Sequence, residues 1–254
     1  MLLGLALATL IGLSLALLGG GGSILTVPVL VYVLGYGAKT AIAMSLPVVG
    51  ITSLFSAALH WRRGHVQLRM ALTFGLIAIV GAFAGARLAE HLSGPVQLTL
   101  LAVVILAAAA TMLRGPRTDD GAIDRPVRFA LLVPVALGVG VLTGVIGIGG
   151  GFLVVPALVL LARVPMREAV GTSLLVIAMN SAAGFAGYLG RITLPWGFLS
   201  AFTAAAVLGA IAGGAIAPHV PQATLRRAFA WFLLVIGTMV LCQNRELFRS
   251  LFAS

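Results

Sequence analysis

The chain has 254 residues, 61% of them hydrophobic and 9% charged, with sixteen Lys and Arg against six Asp and Glu for a net charge of +10. A soluble domain carries about a quarter charged residues, so this composition excludes that class and points to a polytopic membrane protein. The basic residues lie almost entirely between apolar runs, where they set membrane orientation, so the positive balance does not argue for nucleic acid.

In chain order, Met1–Leu18 is apolar with no basic residue ahead of it, which predicts a retained first span of about 27 Å instead of a cleaved leader. A glycine cluster, Gly19–Gly22, leads into a short apolar run, Ile24–Leu34, too short to stand upright between two water layers. Thr40–Leu59, a basic loop His60–Arg69, Met70–Ala89 and Val96–Leu113 follow. Arg114–Arg128 is the clear hydrophilic linker. Beyond it the plan returns as Phe129–Ile146, glycines to Gly151, Phe152–Ala162, Ala169–Leu189, Trp196–Ala217 and Ala228–Leu241. The single cysteine, Cys242, excludes an internal disulfide and a cysteine-only metal site; it is expected to pack within its apolar run, and no cofactor is expected.

The return is a duplication. Placing Pro28 on Pro156 sets an offset of 128 that continues without a gap. Gly21, Gly22 and Leu25 then meet Gly149, Gly150 and Leu153; Lys39 meets Arg167, and Ser45, Thr52 and Ser53 meet Ser173, Asn180 and Ser181. Farther on, GAFAGARLA at Gly81–Ala89 meets GAIAGGAIA at Gly209–Ala217. The expected fold is an all-α polytopic membrane protein of two tandem homologous repeats, each of about five hydrophobic segments, with short glycine-linked half-helices. Residues 1–113 form the first repeat, 114–128 the linker and 129–254 the second.

Five crossings per repeat would make the copies inverted, as in many secondary transporters, whereas re-entrant short segments would leave four crossings and parallel copies. Under ten crossings, Arg62, Arg63, Arg69, Arg114, Arg117, Arg125, Arg128, Arg163, Arg167, Arg226 and Arg227 share one side. Lys39, Arg87, Arg191, Arg245 and Arg249 share the other, a bias that favours the inverted arrangement with both termini outside.

The glycine cluster followed by a proline, GTSLLVI at Gly171–Ile177, NSAAGFAGYL at Asn180–Leu189 and HWRRGHVQ at His60–Gln67 resemble the TauE/SafE sulfite exporter family over nearly the whole chain. The first copy departs from that pattern, reading AMSL at Ala43–Leu46 where the second has GTSL. The resemblance implies transport of a small sulfur-containing or related organic anion, such as sulfite or a sulfonate, in a multi-pass cell membrane protein of the bacterial inner-membrane kind. It does not say which anion.

The residues carry the same chemistry independently. Glycines opening a helix present free N–H groups at the positive end of the dipole and let an oxyanion approach the backbone. The expected substrate site is therefore a pocket between the repeats, lined by Gly21, Gly22, Ser23, Gly149, Gly150 and Gly151 and completed by Ser45, Thr52, Ser173 and Asn180. Close helix packing is the competing role of the glycines, and back-bonding to the helix that of the hydroxyls. Lys39 and Arg167 are candidate vestibule charges. No acidic residue lies at mid-span, which argues against a cation substrate. Neither G-x-S-x-G nor H-E-x-x-H occurs and no P-loop lysine follows the glycines, so neither an enzyme nor an ATP-driven pump is expected. The partners expected are the small anion and the lipid bilayer, with self-association left open. An anion channel-like pore and a non-transporting membrane assembly subunit are the alternative functions.

Overall fold

The computed structural model describes residues 2–89, 129–146, 151–162, 164–188 and 194–243, with helical positions at 100, 102–104, 106–107, 109–110 and 113. The linker Arg114–Arg128 and the glycines Gly147–Gly150 lie outside the described residues. All regular structure among the described residues is helical: α1 (Leu2–Leu18), α2 (Gly21–Pro28), α3 (Ala38–Trp61), α4 (Leu68–Ala89), α5 (Phe129–Ile146), α6 (Gly151–Pro156), α7 (Met166–Tyr188), α8 (Trp196–Ile216) and α9 (Gln222–Gln243). Four stretches are long and apolar enough to cross a membrane: Thr40–Trp61, Leu68–Gly85, Met166–Ala186 and Trp196–His219. Large side chains such as Leu54, Val80, Phe83, Leu208 and Trp231 stand outward on these and neighbouring helices, as a lipid-facing surface requires.

The element boundaries recur at the sequence offset. α1 and α5 end at Leu18 and Ile146, α3 and α7 begin at Ala38 and Met166, and α4 and α8 begin at Leu68 and Trp196, each pair 128 apart. The half-helices share one irregularity as well. Each runs to a proline and continues as a π turn, Val29–Val33 after Pro28 and Ala157–Leu161 after Pro156. A proline has no N–H and crowds the carbonyl four residues back, so the turn after it widens. The closing bonds match: Leu34 N–H to Val29 O and Tyr36 N–H to Leu30 O in the first, Ala162 N–H to Ala157 O and Val164 N–H to Leu158 O in the second. Only part of each glycine cluster belongs to the short segment it was expected to precede: α2 starts at Gly21 after a turn at Gly19 and Gly20, and α6 starts at Gly151. Cys242, expected to pack inside, is exposed.

Packing interleaves the two halves. One core gathers Ala8, Ile11, Leu30, Ala41, Val48 and Phe202; another gathers Ala136, Leu158, Ala169, Val176 and Phe74. Seven of the nine buried positions of the first core, Ala8, Leu30, Ala41, Val48, Leu199, Phe202 and Ala206, have their 128-offset mates in the second, so each core takes one long helix from the other half. Glycines permit the close crossings that carry this exchange. A Cβ on Gly12 would lie 1.8 Å from Ala206 O, and one on Gly140 would lie 2.3 Å from Ala78 O. Gly209 and Gly213 meet Thr9 O and Leu13 O at 1.9 and 2.6 Å, as Gly81 and Gly85 meet Leu137 O and Val141 O at 2.5 and 2.1 Å. α1 on α8 and α5 on α4 are therefore one contact made twice, residue for residue. In lipid, association rests on such packing, because hydrocarbon around a helix is as apolar as its neighbour.

Directions follow from the contacts. Leu46 meets Gly184, Gly50 meets Ser181, and His60 meets Gly171, so α3 and α7 run antiparallel with paired numbers adding to 230 or 231. The imidazole Nε2 of His60, near the end of α3, lies 3.2 Å from Ala16 O, near the end of α1. Two consecutive long helices ending together require the chain to return across the bundle between Leu18 and Ala38. The α2 segment and the π turn after it make that return, with Leu34–Gly37 as the turn that leads into α3.

Candidate functional site

The α3–α7 crossing collects buried polar groups that the helices leave unsatisfied. Hydroxyls elsewhere in the bundle donate back along their own helix, for example Ser45 to Ile42 O and Ser173 to Val170 O, both at 2.8 Å, and Ser56 to Thr52 O at 2.8 Å. Thr52 Oγ1, Ser53 Oγ and Ser181 Oγ have no such bond, although these residues are 1%, 0% and 1% exposed. Asn180 adds a buried Oδ1 without a partner. An unsatisfied buried polar group costs about 1–3 kcal/mol, so four at one level call for something that bonds to them. They stand near the middle of both helices, where Gly50 brings the backbones together: its Cβ would lie 3.2 Å from Ser181 Cβ.

The other expected site residues do not all reach this level. Facing residues on α3 and α7 have numbers adding to about 231, so Ser45 lies level with position 186 and Ser173 with position 58. At about 1.5 Å per residue, Ser45 and Ser173 are about 20 Å apart along the bundle and cannot hold one small anion together. Thr52 and Asn180 do coincide to within a residue, and Ser53 and Ser181 lie within about 5 Å of one level, because they sit where the offset and the antiparallel pairing intersect. The first glycine cluster is nearer the His60 end. Gly22 is buried against α1, its Cβ position 2.6 Å from Ile11 O and 2.7 Å from Leu15 Cβ. Ser23 is also buried, its hydroxyl donating to Gly20 O at 2.6 Å. Gly21 opens α2 and Gly151 opens α6, whereas Gly149 and Gly150 lie outside the described residues.

Gly19, part of the Gly19–Gly22 cluster but not among the expected lining residues, joins them. It takes φ +70°, the left-handed turn that ends α1, and a Cβ there would lie 2.8 Å from Ser173 Oγ and 2.7 Å from Val155 Cγ2. Its signal was its place as the first glycine after an uninterrupted helical run. The first-half glycine turn thus lies against the second half's Ser173, one or two turns from the mid-level group. The vestibule candidates separate. Lys39 is in the first turn of α3 and Arg167 in the first turn of α7, and antiparallel helices put those turns at opposite ends. Arg167 reaches the carbonyls of Pro218 and Val220 at 3.2 and 3.3 Å.

Comparison with known proteins agrees with this architecture. Residues 4–240 match the family described as sulfite exporter TauE/SafE. A "Probable membrane transporter protein" of Xylella fastidiosa is 31% identical over 241 residues, covering 92% of this chain and 92% of that protein. The "Probable membrane transporter protein YdhB" of Bacillus subtilis is 26% identical over 239 residues, covering 91% of this chain and 96% of the relative. No solved structure matches the chain. The family match spans both halves of the molecule, from α1 into α9, and the chain belongs to the sulfite exporter TauE/SafE family.

Proposed function

We propose that the chain is a secondary transporter for a small sulfur-containing or related organic anion, such as sulfite or a sulfonate, in the cell membrane. It would act as two inverted repeats, 1–113 and 129–254, joined by the linker 114–128. The observation that carries this reading is the mid-level set Thr52, Ser53, Asn180 and Ser181, buried polar groups without partners where the two halves cross. An anion crossing hydrocarbon exchanges its water for fixed hydrogen-bond donors, and three hydroxyls with an asparagine amide supply donors without a competing carboxylate. Gly19 and Ser173 would stand on the approach from one side and Ser45 on the approach from the other, with Lys39 and Arg167 attracting the anion at opposite mouths.

Alternating access follows from the inversion, since rocking one repeat against the other exposes the central group to each side in turn. Proteoliposomes loaded with sulfite or with a sulfonate such as taurine, and assayed for counterflow of the labelled compound, test the reading. Wild type should exchange one of these anions saturably, and Asn180→Leu should lose that exchange while remaining monodisperse. Saturable exchange that Asn180→Leu leaves intact would place the substrate elsewhere.

A further inference from the structure

Away from the mid-level group, a small pocket opens where α1, α3 and α8 end and α7 begins. Its walls are His60, Arg63, His65, Arg167, Val170, Ala217 and Pro218. Two guanidinium groups and two imidazoles thus line one space, and among the described residues no carboxylate does. Glu168, next to Arg167 in the chain, is bonded instead to Gln67 Nε2 at 2.5 Å. The arginines are only partly satisfied: Arg63 donates to Gly214 O and Arg167 to Pro218 O and Val220 O, all backbone carbonyls near the end of α8. Carbonyl dipoles do not cancel a unit charge. Arg167 Nε is buried with no partner among the described residues.

His60 supplies a second, independent sign of a ligand. The residue is 4% exposed. A carbonyl oxygen only accepts, so Nε2 carries the proton it shares with Ala16 O at 3.2 Å, and Nδ1 is left buried with no partner among the described residues; it becomes a donor to an anion when the ring takes up a second proton. The His65 ring lies 6.2 Å away, centroid to centroid. The first turn of α7 adds free N–H groups and the positive end of its dipole. The space is small, with room for about one water-sized group.

We infer that this pocket is a binding site for a small inorganic anion such as chloride, held between Arg63 and Arg167, with the doubly protonated ring of His60 as a third donor. Sulfite is larger and would enter only by drawing Arg167 off the Pro218 and Val220 carbonyls. The inference rests on the pocket's own charges, so it stands or falls separately from transport through the mid-level group.

The test is a thermal-unfolding titration of the purified full-length chain, starting in gluconate and replacing it by chloride at constant ionic strength. A ligand that binds only the folded state raises its stability with concentration and then saturates on the binding curve. Wild type should show a saturable rise in Tm with chloride, and Asn180→Leu should show the same rise, because it leaves this pocket intact. Arg63→Gln and Arg167→Gln should each weaken the apparent Kd at least tenfold. Should either fail to fold, Arg167→Lys and His60→Gln serve in its place: the first keeps the charge without Nε, and the second keeps an amide donor for Ala16 O. Each of these should weaken the apparent Kd by several-fold. In crystals grown with bromide, anomalous scattering should place the ion within contact of Arg63 and Arg167. A wild-type titration without saturation, or glutamine variants that respond as wild type does, would overturn the site.

Discussion

Replacing Ser181 by alanine gives a result that separates a ligand site from a packing contact. Its hydroxyl is buried, 1% exposed and without a partner, as is that of Ser53 at 0%. A serine bonded back to its own helix loses only a local bond on truncation, one that adds little to stability. Ser181 has no such bond to lose. Its removal instead relieves an unsatisfied group that costs about 1–3 kcal/mol in the resting protein. Ser181→Ala and Ser53→Ala should therefore each raise stability by about 1 kcal/mol or more. In a chain of this length that is a rise in Tm of about 2–4 °C per kcal/mol. Ser45→Ala and Ser173→Ala, whose hydroxyls are back-bonded, should be neutral or slightly destabilising. Transport should move the other way, falling in Ser181→Ala and Ser53→Ala as donors to the anion are lost. Thermal unfolding of purified protein and counterflow in proteoliposomes measure the two halves of the claim. Lower stability with intact transport in both variants would show that these hydroxyls serve helix packing, and the argument for a mid-level site would fail.

The doubled crossing makes a symmetric forecast: Gly209→Val and Gly81→Val should both prevent folding, seen as loss of the monodisperse peak, while Gly138→Ala, with nothing within 4 Å of its Cβ position, should fold normally. Gly50→Cys with Ser181→Cys, in a Cys242→Ser background, should form a disulfide on oxidation, since a Cβ separation of 3.2 Å is near bonding range; failure, when Gly50→Cys with Ser173→Cys succeeds, would contradict the antiparallel pairing. Ser254→Cys in the same background should react with an impermeant maleimide from outside intact cells, and labelling only after permeabilisation would reverse the orientation drawn from the arginine count. The background substitution is needed because Cys242 is itself exposed.

The sequence by itself determined the membrane class, the segments and their doubling. Apolar runs and a gapless 128-residue register are local properties, and hydrocarbon leaves a segment little choice but a helix. The register foresaw that Pro28 and Pro156 would sit alike, and both do end a half-helix at a π turn. What it could not decide is which equivalent residues meet. Equivalence in an alignment is a statement about one repeat copied onto another, whereas contact depends on how the two are turned. With α3 and α7 antiparallel, mates move apart by two residues' rise for each step away from the crossing. Thr52 and Asn180 therefore share a level, while Ser45 and Ser173, matched just as well in sequence, are on opposite sides of it. The pocket of His60, Arg63, His65 and Arg167 was illegible for the same reason, since it joins the end of one half's helix to the start of the other's. Only the tertiary structure, by running α3 and α7 antiparallel, places charges about a hundred residues apart around a single small space.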